Sequence, residues 1–165
     1  MTPTITLATL ITLTIMSSVS NAQLVEKKAL SLAAARKIAA AAEDHAKTKN
    51  ARVVIAVVDD GGNLLVLARL DDTQVASVEV GIGKARTAAI FRRPSREFEE
   101  QVKNGRIAAL SLPGATALQG GVPITVDGKV IGAIGVSGET PSLDEEIALA
   151  GANAIADIAM ATSAD

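Results

Sequence analysis

Cysteine, tryptophan and tyrosine are absent from this sequence, and its aromatic side chains are two phenylalanines, Phe91 and Phe98. Without cysteine there is no disulfide framework, no thiolate nucleophile and no Cys/His zinc site within one polypeptide. Two phenylalanines do not make a stacking platform for bases, and a net charge of −2 offers no excess of cations to a phosphate backbone. Nucleic acid is therefore not an expected partner. The single histidine, His45, is the one imidazole available as a base or metal ligand. Past residue 22, a bound metal has only oxygen atoms, His45, lysines, Met160 or groups from several subunits to hold it.

Charge is also missing from the start of the chain, where no charged side chain precedes Glu26. Residues 1–22 carry an apolar run from Ile5 to Met16, then small polar residues, and end Ser20-Asn21-Ala22 before Gln23. The pattern is that of an export leader cleaved after Ala22, without the usual basic start. A membrane anchor or a misplaced start site is the alternative, but the run is short for a span and diluted by threonines. The expected organisation is a leader over 1–22 and one domain over 23–165, in a periplasmic or extracellular protein with no stable membrane span.

What is abundant is Ala, Val, Ile, Leu and Gly, arranged as two apolar pairs of runs. Residues 53–70 read VVIAVVDDGGNLLVLARL and residues 120–138 read GGVPITVDGKVIGAIGVSG. Each is a β-branched strand, an Asp-Gly signal and a second strand, with Asp60-Gly61 and Asp127-Gly128 expected at the positive φ of a tight turn. Ser31–Lys49 is alanine-dense, so a helix with Ser31 as N-cap is predicted, its stripe Leu32, Ala35, Ile38, Ala39 and Ala42 facing the core. Val75, Val78, Ile82, Ala85 and Ala89 predict a second helix over Thr73–Phe91, despite Gly81 and Gly83. Pro94 ends it, Ser95 is placed to cap a short helix through Lys103, and Asn104-Gly105 stops that one. Residues 106–119 show no clear period and read as a short strand or extended loop around Pro113-Gly114. Ser142 with Glu145 spells a capping box for a last helix running to about Ala161. The sum is one α+β domain, an antiparallel sheet of about five strands flanked by helices in two or three layers.

Several positions carry candidate chemistry. Residues 117–124, ALQGGVPI, are the stretch least explained by packing; the glycine pair serves either a structural turn or close approach to a ligand. Lys84, Arg86, Arg92, Arg93 and Arg96 form a basic cluster suited to carboxylates, or a solvated surface balanced by Glu97, Glu99 and Glu100. Lys84 stands out because its neighbours are small and apolar. Asp59, Asp60, Asp71 and Asp72 bracket the first hairpin, where turn formation explains them as well as cation binding does. His45 follows Glu43-Asp44 at the polar end of the first helix and reads as a surface residue unless a ligand docks there. Met160 reads as core. Gly132-Ala133-Ile134-Gly135 lies inside a strand pattern and lacks the lysine and helix of a nucleotide loop.

The words IAVVDDGGNLL, ARLDD, GIGKARTAA, LPGATALQGGVPI and DGKVIGAIGVSG, with Asp144-Glu145 and Ala150-Gly151 in the last helix, resemble the GlcG/HbpS-like family. That family includes the C-terminal domain of PduO-type corrinoid adenosyltransferases, and the resemblance covers residues 30–160. It implies an antiparallel sheet flanked by helices, homo-oligomers that are often octamers, and haem as the cofactor. Some exported members bind and slowly degrade haem, sequester iron or communicate with a sensor protein. The resemblance points to Thr116 as an oxygen ligand of haem iron, with His45 as the histidine candidate. Arg69 and Lys84 are then candidates for pairing with propionates. The alternative function is a non-haem accessory module that binds a small carboxylate or a corrinoid. No catalytic residue is assigned.

Overall fold

The computed structural model describes residues 24–162; residues 1–22, read above as an export leader, lie outside them. Ten elements follow in order: α1 (Leu32–Thr48), β1 (Val54–Asp59), β2 (Leu64–Arg69), α2 (Ser77–Ile90), α3 (Arg96–Lys103), a 3-10 turn (Ile107–Ser111), β3 (Gly121–Val126), β4 (Lys129–Ser137), α4 (Pro141–Asn153) and α5 (Ile155–Thr162). The four strands form one antiparallel sheet in the order β2-β1-β4-β3, so the two hairpins meet along β1 and β4. Four strands stand where about five were expected. The missing one is the unpatterned 106–119 stretch, which folds as the 3-10 turn and a loop.

The sheet is covered on both faces, by two different kinds of contact. On one face Val53, Ile55 and Val57 of the β1 segment, with Ile124, Ile134 and Val136, pack against Ala35, Ile38 and Ala42 of α1 and Ile147 and Ala148 of α4. Large side chains fill that layer. On the other face Ala56, Val58 and Ala133 meet Ala85, Ala88 and Ala89 of α2. There the residues are small enough for backbones to touch. A methyl group on Gly135 would collide with the carbonyl of Gly81 and the amide of Ala85. Gly135 of β4 is thus a condition for seating the helix; of the two glycines inside it, Gly81 faces Val54 of the sheet and Gly83 faces Thr116. α2 crosses β1, β4 and β3. The cross-strand partners of Val58 and Ala56 are Leu64 and Leu67, which remain 44% and 40% exposed on β2.

Local signals were displaced in several places, and Leu32, expected on the core stripe of α1, is 45% exposed. In the first hairpin the positive φ falls on Gly62, because the Asp59 side chain accepts the amides of Gly61 and Asn63 and closes a wider turn. Asp127 and Gly128 both take positive φ, as expected of the second. α2 starts at Ser77, and its buried face runs through Gly81, Lys84, Ala85 and Ala88, leaving Val75 exposed. The N-cap of α4 is Thr140, followed by Pro141, so the expected Ser142–Glu145 box does not form. The last helix breaks at Ala154 into α4 and α5, and Met160, expected in the core, is 65% exposed. Among the described residues no helix is long and apolar enough to cross a membrane.

Candidate functional site

The polar interior of the molecule centres on α2 and the loop that leads into β3. Lys84 projects from α2 into the protein, where its ammonium donates to Asp144 Oδ2 at 2.7 Å and to the Val136 carbonyl at 2.9 Å. Both side chains of this ion pair are nearly fully buried. Burial pushes the Asp144 carboxyl above its ordinary value, against the opposing pull of Lys84 and of the Glu139 and Gly138 amides. Gly120 and Gly121 are the walls of the cradle. A methyl on Gly120 would stand 2.9 Å from Lys84 Nζ, and one on Gly121 would strike the Lys84 carbonyl. The glycine pair therefore serves the structural turn, and it admits a lysine of the same chain.

The residues around the cradle hold the loop in place. Ser95, expected as a helix cap, makes no cap bond; its hydroxyl donates to the Leu118 carbonyl at 2.6 Å and accepts from the Gly121 amide at 2.8 Å. Glu99 accepts the Gln119 amide at 2.6 Å, and Gln119 Nε2 donates to Glu145 Oε2 at 2.6 Å. Arg96 approaches the same Glu145 oxygen at 3.5 Å. Burial alone would raise Glu99, but hydrogen bonds from Lys103 and the Gln119 amide outweigh it and hold the carboxyl below its ordinary value. The rings of Phe91 and Phe98 meet at a tilt of 56° with centroids 4.9 Å apart where α2 turns into α3, with the Arg93 guanidinium 4.3 Å over the Phe98 ring.

Thr116 sits on the outward side of α2, at the surface of this network. Its amide donates to Thr87 Oγ1 at 2.7 Å, and Thr87 Oγ1 in turn donates to the Gly83 carbonyl at 2.8 Å. A methyl on Gly83 would overlap the Thr116 hydroxyl, so the hydroxyl occupies the space that the glycine leaves. Thr116 is half-buried, and among the described residues its hydroxyl makes no hydrogen bond. The segments on either side expose Ile107, Leu110 and Leu118, and Ile90 at the end of α2 lies against Gly114. Arg86, three residues on from Gly83, is exposed and donates through Nε to the Gly62 carbonyl at 3.3 Å. What this part of the molecule offers a ligand is a hydroxyl without a hydrogen bond, exposed apolar side chains in the flanking segments and the exposed Arg86.

The four residues singled out in the sequence are not brought together. Thr116 and Arg69 share the α2 face of the sheet, Arg69 being the exposed end of edge strand β2 opposite Val54. Lys84 is enclosed in its ion pair with Asp144. His45 lies on the opposite face, on α1, with Nε2 at 2.9 Å from Glu146 Oε1 of α4. Lys49 and His45 together hold the Glu146 carboxyl below its ordinary value. Asp59 serves its turn and Asp60 pairs with Lys27 at 2.6 Å. Among the described residues no three His, Cys, Asp or Glu side chains gather as a metal site. Thr87 was not visible in the sequence. Its only signal is a threonine four residues after a helical glycine, where a hydroxyl bonds back to the i−4 carbonyl.

Comparison with known proteins places these features. Residues 30–153 match the family described as haem degrading protein HbpS-like. Protein GlcG of Escherichia coli K12 is 49% identical over 111 residues, 67% of this chain and 83% of GlcG. The crystal structure of a Streptomyces reticuli HbpS double mutant superposes with a TM-score of 0.73 at 36% identity, over 79% of this chain and 90% of that one. That of a PduOC:haem complex gives 0.70 at 27% identity, over 77% and 95%. With the family matched over residues 30–153 and a relative 49% identical over two thirds of its length, the chain belongs to the HbpS-like family.

Proposed function

We propose that the protein binds haem, with the Thr116 hydroxyl as oxygen ligand to the iron. The observation that carries this reading is the unpartnered hydroxyl, held half-buried over Gly83 beside an apolar surface. The family, and the haem complex of a structural relative, support it. Arg86 and Arg69, both exposed on that face, are the cations available to the propionates; Lys84 is committed to Asp144. A hydroxyl is a weak ligand, which suits a protein that takes haem up and gives it away. We read the chain as an exported, periplasmic or extracellular buffer of haem or iron, with slow haem breakdown and a sensor protein as further proposals. Leu64 and Leu67, uncovered on β2, favour assembly into a homo-oligomer, with an octamer as the expected size.

Titration of the chain from Gln23 onward with ferric haem, read by absorbance and size exclusion together, tests the reading. Protein must be quantified without 280 nm absorbance, since there is no Trp or Tyr. A saturable Soret shift that co-elutes with an oligomer is expected, lost in Thr116→Ala and kept in His45→Ala. Loss in His45→Ala alone would move the ligand to the other face of the sheet. No saturable shift, with heat released instead by glycolate-like acids or cobalamins, would replace haem with the carboxylate or corrinoid alternative.

A further inference from the structure

Thr87 is fully buried in the C-terminal half of α2, yet its hydroxyl both donates to and accepts from groups that define the Thr116 position. It donates to the carbonyl of Gly83, the residue beneath the Thr116 hydroxyl, and accepts the amide of Thr116 itself. A bond to the i−4 carbonyl fixes the χ1 rotamer of a helical threonine. The lone pair offered to the loop is thereby aimed by the helix. The Thr116 amide has no strand or helix backbone partner, so its bond to Thr87 Oγ1 is what ties residue 116 to α2, with the Gly114 carbonyl a longer 3.5 Å from the same hydroxyl. Gly83 sets the direction, because only a residue without Cβ leaves room for the hydroxyl. Ser95 holds the far end of the same loop through the Leu118 carbonyl and the Gly121 amide, two and five residues on.

We infer that Thr87 is the positioning residue of this site: its hydroxyl holds the Thr116 backbone at a fixed height over Gly83, and with it the Thr116 oxygen that binds iron in the proposed function. The inference rests on the haem reading and adds to it a device internal to the helix. A valine at position 87 keeps the shape of threonine but neither hydrogen bond, whereas a serine keeps both.

Ferric haem titrations of the full assembly separate the two claims. With Thr87→Val the dissociation constant is expected to rise about tenfold, the scale of one lost buried hydrogen bond. The Soret maximum is expected to move toward that of Thr116→Ala, and Thr87→Ser is expected to restore both. Gly83→Ala, whose methyl takes the space of the Thr116 hydroxyl, is expected to give the same altered spectrum with the Thr87 bonds intact, and serves if Thr87→Val does not fold. A Thr87→Val protein that is less heat-stable but binds haem with unchanged affinity and spectrum would overturn the inference, as would an unaltered spectrum in Gly83→Ala. If Thr116→Ala itself leaves haem binding unchanged, the ligand assignment fails, and the positioning role with it. A spectrum altered in Thr116→Ala but not in Thr87→Val removes the positioning role alone.

Discussion

Lys84 carries a charge into the interior, and the chain meets it with one carboxylate and one carbonyl. Removing one member of a buried pair leaves the other uncompensated, which costs about 3–5 kcal/mol. Lys84→Met is accordingly expected to lower unfolding free energy by about 3 kcal/mol in urea at pH 7, and Lys84→Met with Asp144→Leu to recover most of it. The deficit of the single variant should shrink as pH falls, because a lone buried Asp144 then takes up a proton in the folded state; a pH-independent deficit would contradict this. The lysine was conspicuous in the sequence, but its partner was not. Asp144 lies sixty residues away, and no local pattern links a cation on one helix to an acid on another. Thr116 was legible only through resemblance, since a threonine in a loop carries no period.

At the scale of elements, the hairpins and α1 followed from their residues because short-range rules decide them: β-branched runs, Asp-Gly turns and an alanine-rich stripe under Ser31. Errors fell where two local rules competed. Thr140 and Ser142 both offer a hydroxyl, and Pro141 settles the choice because it fits the first helical position and leaves Thr140 as the cap. The consequence can be measured: Thr140→Ala should cost about 1 kcal/mol in chemical denaturation, and Ser142→Ala close to nothing. Equal losses in both would restore the capping box. The unpatterned 106–119 stretch could not be read as a lid on α2, because what orders it is Thr87, Ser95 and Glu99, side chains from other elements.

For the molecule as a whole, the acid limb of stability is set by carboxylates that pull in opposite directions. Burial tends to raise Asp59, but hydrogen bonds from Asn63 and Gly61 outweigh it and leave the group lowered. Glu99 is lowered despite burial, Asp127 by Lys28, and Glu146 by Lys49 and His45. For each of these the unfolded chain takes up protons first. The stability they carry is complete above the ordinary carboxylate range and is lost as pH falls through the lowered values. Asp144 runs the other way, since its raised folded pKa makes protonation favour the folded state. Urea midpoints are expected to fall below about pH 4, and Asp144→Asn is expected to lack the opposing gain that the wild type makes above that range, as Asp144 takes up its proton. A midpoint unchanged between pH 7 and pH 3 would refute this balance.

The two faces of the sheet also differ in how they can change over time. Where α1 and α4 lie, a side chain that grows can be accommodated by a neighbour that shrinks, so compensating second-site changes exist and the layer is free to drift. Beneath α2, Gly135 faces a carbonyl and an amide of the helix itself. A main-chain atom has no smaller version, so a substitution at that contact has no local suppressor. That face is a fixed datum, and the Thr116 surface is built on top of it.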